Sequence, residues 1–231
     1  MTLDARTIGQ AGLHFFGQMS ATLSHDIKNV LAVINENAGL LEDLCLMAEK
    51  GRPIDPSRLK RLAGDIQEQV RRGDRIVTGM NRLAHSPDEA SAEVDLAEML
   101  ELLTALAVRL AAARGVQVMV NRPAAAVRIT TSPFLLLNLL WLCLDGAMAA
   151  AGPGRRIELA AEASADGARI RFCGLEGLED GSAARTSAGP QEALCRALEA
   201  QQTLDPGSKE MALLLPKGCG SGGPASNSNH P

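Results

Sequence analysis

The chain has 231 residues, of which 46% are hydrophobic, with a formal net charge of −4. That is enough apolar material for one large core or two small ones, and no global basic field recommends nucleic acid as a partner. One Trp, four Phe and no Tyr leave the core to Leu, Ala, Val, Ile and Met, which suits packed helices. The five cysteines are scattered and include no C-x-x-C pair, so neither a zinc site nor a disulfide framework is indicated. A reducing cytoplasm fits this usage. The polar, acid-containing N-terminus is not that of a signal peptide. The chain begins within a dozen residues of its first helix, with no preceding input domain or membrane span expected.

Residues 7–50 hold no proline and carry apolar residues at Phe16, Met19, Leu23, Ile27, Val30, Ile34, Leu41 and Leu44. Steps of three, four and seven mark the packing seam of one long helix. Gly51, Pro53 and Pro56 stop it, and Asp55 or Ser57 is placed to cap a second helix over 56–85. Its seam runs through Leu59, Leu62, Ile66, Val70, Ile76, Met80 and Leu83. Two helices joined by a short turn form an antiparallel hairpin. A lone hairpin buries too little, so the pattern predicts a homodimeric four-helix bundle.

Residues 86–93 read as a linker. A helix over 96–114 follows, closed by Gly115, then short strands at 116–120 and 126–129. The apolar run 134–151 is broken by Asn138, Asp145 and Gly146, and is expected as a buried helix over 133–151 rather than a membrane span. Strands at 156–160 and 168–172 form a hairpin turned at Asp166-Gly167. A helix over 191–202 and a last strand over 211–215 complete the pattern. The fold class is α+β: a helical hairpin over 1–86, then helices against one face of a mixed sheet over 94–217. The tail 218–231, rich in Gly, Ser, Asn and Pro, is expected to be disordered.

One residue of the first helix invites chemistry. At 100° per residue, His25 lies about 160° from Ile27 and so points away from the seam. Thr22, Asn29 and Glu36 share its face. An exposed imidazole there admits an electrophile in line with a ring nitrogen. Asp26, to the side, is placed to hold a ring N–H and fix the tautomer. Asn29, a turn further on, can position a water or phosphoryl oxygen, and Lys28 can offset phosphoryl charge. The plain alternative is a solvated histidine on a wet face.

The run His25-Asp26-Ile27-Lys28-Asn29-Val30-Leu31 resembles the dimerisation and phosphotransfer domain of two-component histidine kinases. Only the usual proline departs, replaced by Val30. The segment Val94-Asp-Leu-Ala-Glu-Met-Leu and the Arg114-Gly115-Val116 turn look like the entry to that family's ATP-binding domain. The resemblance covers about residues 10–216. It implies that His25 accepts a phosphoryl group, that Asp26 helps as base, and that Asp26 and Asn29 support dephosphorylation of a partner's aspartyl phosphate. It implies a histidine-kinase-type α/β sandwich, homodimerisation and response-regulator receiver domains as partners, with no nucleic acid or membrane.

The nucleotide pocket departs from the family pattern. Leu140-Trp-Leu-Cys-Leu-Asp145-Gly146-Ala147 has Gly146 where the magnesium-binding Asn stands and Leu142 where a second Asn is usual; Asn138 is four residues too early. After Phe172, the adenine-reading Asp is missing until Asp180, with Glu176 the nearest substitute. The lid over 181–190 is short, and 186–194 carries only a remnant of a glycine loop. No bound cofactor is therefore expected; Mg-ATP, on Asn138, Asp145 and Glu176, belongs to the alternative of a soluble kinase. The expectation is a relay passing phosphoryl groups between His25 and receiver aspartates. The other alternative is a non-catalytic adaptor.

Overall fold

The computed structural model describes residues 3–178 and 189–218. The chain divides into a helical unit, Leu13–His85, and a unit comprising Met1–Gly12 and Ser86–Pro231.

In the helical unit, α1 (Leu3–Glu49) continues in from the other unit, and α2 (Pro56–His85) follows a short turn. Gly51, at φ +78°, closes α1; its N–H donates to the Ala48 carbonyl at 2.9 Å. Asp55 starts α2 by accepting from the Ser57 hydroxyl at 2.6 Å and the Ser57 amide at 2.9 Å. These two bonds hold the Asp55 carboxyl below its usual range. The buried positions of α1 are Phe15, Met19, Leu23, Asp26, Val30, Asn37 and Leu44. Those of α2 are Leu62, Gly79 and Leu83. The helices pass close at Gly73, where an added Cβ would lie 3.3 Å from Val30 Cγ1.

This differs from the predicted seam in three ways. Val70 and Met80 of α2, expected in the seam, are 56% and 38% exposed. Phe15 is buried while Phe16 is 40% exposed; two adjacent phenylalanines lie 100° apart, and periodicity alone does not choose between them. The seam also includes two polar residues, Asp26 and Asn37.

In the other unit, β1 (Ala92–Asp95) pairs antiparallel with β3 (Arg128–Thr131). Asp95 caps α3 (Leu96–Ala113), its carboxylate accepting from the amides of Ala97 at 2.9 Å and Glu98 at 3.3 Å. A five-stranded sheet has the order β2-β4-β5-β7-β6. Its strands are β2 (Gln117–Asn121), β4 (Arg156–Ser164), β5 (Gly167–Cys173), β6 (Gln201–Asp205) and β7 (Glu210–Pro216). Only β2 and β4 are parallel. The remaining helices are α4 (Pro133–Ala151) and α5 (Pro190–Ala197).

Strand alternation sorts one sheet face into the core. Leu159 and Ala161 align with Phe172 and Ile170, and Phe172, Ile170 and Ala168 align with Met211, Leu213 and Leu215; all of these, with Ile157, are buried. The leucines of α3 and α4 complete this core. By length and composition α4 is the one helix among the described residues fit to cross a membrane, but two-thirds of its apolar window is buried inside the protein.

Three boundaries depart from expectation. The stretch read as a linker ends in β1, which begins at Ala92. The helix expected to reach residue 202 stops at Ala197: the Ala200 amide bonds Cys195 O at 2.8 Å, and Glu199 turns the chain at φ +52°. Residues 201–205 then form β6, which pairs with β7. At the C-terminus, Gly218 makes a parallel bridge to Thr130. The rest of the expected tail, the lid residues 181–188 and Asp180 lie outside the described residues.

Candidate functional site

His25 stands in the middle of α1 with its side chain 51% exposed, whereas that of Asp26 is 11% exposed. The seam spacing explains the contrast: Asp26 is three residues from Leu23 and four from Val30, both buried, so it shares their stripe. It is thus a seam residue beside an exposed histidine, a more constrained place than the solvated flank expected.

The two polar neighbours meet the same ring atom. Asn29 Nδ2 lies 3.1 Å from His25 Nδ1, and Asp26 Oδ1 lies 3.8 Å from it. The Asn29 contact is a hydrogen bond, while the Asp26 separation is electrostatic reach only. With the amide N–H donating to Nδ1, a neutral ring carries its proton on Nε2. Turning the Asn29 amide half a turn lets Oδ1 accept from Nδ1–H, which leaves the lone pair on Nε2. Asn29 is therefore the side chain within hydrogen-bond reach of Nδ1, and its two amide orientations go with opposite tautomers of the ring. Lys28 is exposed, about 60° around the axis from His25 on the side away from Asp26.

Of the three residues considered for a nucleotide, one is buried without a partner and two are engaged in ion pairs. Asn138 on α4 is fully buried, and neither its Oδ1 nor its Nδ2 has a hydrogen-bond partner. Its amide faces the start of α1: a Cβ on Gly12 would lie 3.9 Å from Nδ2. Asp145 is held by Arg114, whose guanidinium donates to Asp145 Oδ1 at 2.8 Å and to its backbone carbonyl at 3.0 Å. Glu176 is paired with Lys209, with Arg155 at 3.9 Å, and the Lys209 bond holds its carboxyl below the usual range. Arg114, Lys209 and Arg155 escaped the sequence reading because each sits 21 to 33 residues from its partner in the chain; no local signal pairs them. Among the described residues no group of three His, Cys, Asp or Glu is arranged to hold a metal ion.

A second polar cluster, also unseen in the sequence, lies on the outer sheet face. Glu210, with its side chain 7% exposed, accepts from Arg171 at 2.6 Å and Arg169 at 3.2 Å, and Arg171 also reaches Glu162 at 2.9 Å. The Arg171 bond, chiefly, keeps the Glu210 carboxyl ionised to lower pH than usual. Cys173, 3.7 Å from Glu210, is pushed up, first by burial and then by that charge, which leaves it a poor nucleophile. The cluster ties β4, β5 and β7 together.

No family model matches the chain, and no curated protein does. Solved structures similar to it include histidine kinases and a phosphotransferase. The catalytic domain of histidine kinase ThkA is 12% identical, the match covering 56% of this chain and 97% of that one, with a TM-score of 0.47. A histidine kinase from Burkholderia phymatum is 18% identical, covering 88% and 98%, with a TM-score of 0.44. A bacterial phosphotransferase is 13% identical, covering 86% and 94%, with a TM-score of 0.47.

Proposed function

We propose that the chain is a two-component signalling protein, a homodimeric histidine phosphotransferase that relays phosphoryl groups between His25 and receiver-domain aspartates. The observation that carries this is a contrast within one chain. His25 is open to solvent and has a side-chain amide 3.1 Å from Nδ1, whereas Asn138 is buried and Asp145 and Glu176 are tied into ion pairs.

The relay asks little of this protein. With the Asn29 amide turned so that Oδ1 accepts from Nδ1–H, and the Asp26 carboxylate nearby at 3.8 Å, His25 offers the Nε2 lone pair to the phosphorus of an aspartyl phosphate. The N–P bond forms as the P–O bond to the aspartate breaks, and that carboxylate leaves. The receiver supplies the magnesium and the acyl phosphate; the helix supplies a nucleophile fixed in line. Lys28 offsets charge on the transferred group. The reverse step returns the phosphoryl group to another receiver.

The apolar surface that one hairpin leaves over supports the homodimeric reading. Leu31 on α1 and Val70, Val77 and Met80 on α2 are 38–58% exposed, and Ile27, Ile34, Leu41, Leu59 and Ile66 are half-buried. A stripe of this extent on two adjacent helices is covered economically by a second hairpin in a four-helix bundle.

The test is transfer of label. A receiver carrying radiolabelled phosphate is expected to label the wild-type chain but not His25→Gln, while Mg-ATP labels neither. Label on His25 from ATP alone would make the protein a kinase. Full signalling by His25→Gln would make it an adaptor.

A further inference from the structure

We propose that the free edge of β2 is a self-association surface of its own, on which the same strand of a second copy pairs antiparallel about a two-fold axis at Met119. This contact is separate from the helical hairpin and does not depend on the phosphotransfer role.

The backbone defines the edge. Among the described residues β2 ends the sheet, with β4 as its only partner. The Gln117 amide donates to the Arg155 carbonyl at 2.9 Å in the parallel register Gln117↔Arg156. Alternation therefore turns the N–H and C=O groups of residues 117, 119 and 121 toward β4, and those of Val118 and Val120 outward. No described residue bonds to these outward groups.

Natural sheets blunt such edges with charge, proline or a bulge. At the opposite edge, β6 ends in Asp205, the start of an Asx turn to Gly207 and Ser208. β2 reads Gln-Val-Met-Val-Asn, with no charge, proline or glycine.

The strand is complementary to itself. Antiparallel pairing about Met119 sets Val118 opposite Val120′ and Gln117 opposite Asn121′, so that the two side-chain amides meet. The same register uses every outward backbone group, giving four inter-copy hydrogen bonds from Val118 and Val120. Met119 faces its own copy at the non-bonded position. This near-palindrome selects a second copy over a foreign strand, which has no reason to match amide to amide and Val to Val.

The surroundings agree. Val108 is 57% exposed and Met119 46%; with Leu204 they are the large hydrophobic residues left open in the described part of this unit. Val108 and Met119 flank a groove of about 330 Å³ between α3 and β2, lined also by Thr104, Ala112, Val116 and Val118. A two-fold axis perpendicular to the sheet keeps both α3 helices on one side, so the two grooves meet and cover each other's apolar rim. With a bundle contact elsewhere in the chain, two isologous surfaces permit assembly beyond a dimer.

Sedimentation velocity of the full chain over a concentration series tests this. Wild type is expected to populate a larger species as concentration rises. Met119→Lys and Met119→Glu each lose it, because like charges then stand directly opposite. An equimolar mixture of the two regains it. An independent readout is oxidation of Met119→Cys, mapped by peptide mass. It should give a 119–119′ disulfide, since Cα atoms at that position lie about 4.5 Å apart. Asn121→Cys, about 14 Å from its own copy at 3.4 Å per residue, should give none. A larger species unaffected by either charge variant would overturn the proposal. So would failure of the mixture to restore it, which would mean that something other than a second copy in this register occupies the edge. Equal cross-linking at 119 and 121 would have the same consequence.

Discussion

Replacing Asn138 by Leu removes an amide that the fold buries without a partner. Its side chain is fully enclosed in α4, and both polar atoms are unbonded. Leaving such a group unsatisfied costs about 1–3 kcal/mol, and Leu keeps the branching of Asn, its two larger methyls standing where the amide oxygen and nitrogen were at some cost in crowding. Asn138→Leu is therefore expected to stabilise this unit by about 1–3 kcal/mol, raising its midpoint by about 2–4 °C per kcal/mol for a unit of this size. Asn138→Ala also removes the amide but opens a cavity, so its gain should be smaller or reversed. The probe is built in: Trp141, the only tryptophan, is 3% exposed and sits three residues away on the same helix. Its fluorescence during thermal and urea unfolding reports this unit rather than the hairpin, which matters because two units need not unfold together. A lower midpoint for Asn138→Leu would refute the reasoning, since it would mean that the amide is satisfied in solution. If Mg-ATP raised the midpoint of wild type but not of Asn138→Leu, the satisfying partner would be nucleotide and the kinase alternative would revive.

Asn29→Ala should slow phosphoryl acceptance by His25 about tenfold or more, equivalent to roughly 1.4 kcal/mol of barrier, with helicity by circular dichroism unchanged. Glu210→Gln should cost about 1–3 kcal/mol at neutral pH, discounted because both arginines stay partly solvated. Glu210's folded pKa is depressed, so its contribution is present above the usual glutamate range and is lost as pH falls through the folded value. Denaturation curves of wild type and Glu210→Gln should accordingly converge only in acid, below the ordinary glutamate pKa; convergence at higher pH would sink the assignment. Gly174→Ala should destabilise by about 2–4 kcal/mol, because Gly174 has φ +91° and a Cβ would stand 2.3 Å from the Arg156 carbonyl oxygen. Val77→Glu, on the open stripe of α2, should weaken a hairpin dimer at least a hundredfold, about 2.8 kcal/mol, as read by light scattering.

Much of the fold is legible because it repeats. The bounds of α2 and α4 follow from periodicity between Pro56 and His85 and between Pro133 and Ala151, where proline at the first turn and the following break leave little choice. The β4–β5 hairpin is announced by Asp166-Gly167 between alternating runs. By contrast, β6 carries no apolar alternation in Gln-Gln-Thr-Leu-Asp; it is a strand because β7 offers it a ladder. β1 likewise exists because β3 returns beside it.

The candidate site divides in the same way. That His25 is exposed follows from arithmetic at 100° per residue, and sequence spacing also puts Asn29 one turn away. The sequence does not show that Asn29 approaches the ring more closely than Asp26, because that depends on side-chain rotamers and on which positions the seam buries. Nor does it show that Asp145 and Glu176 are already paired, because Arg114 and Lys209 come from 31 and 33 residues away. Local periodicity determined where the helices run and which way the histidine points. Tertiary structure decided which carboxylates are engaged, which strand stands open at the edge and which amide is left without a partner, since those depend on chain segments meeting through space.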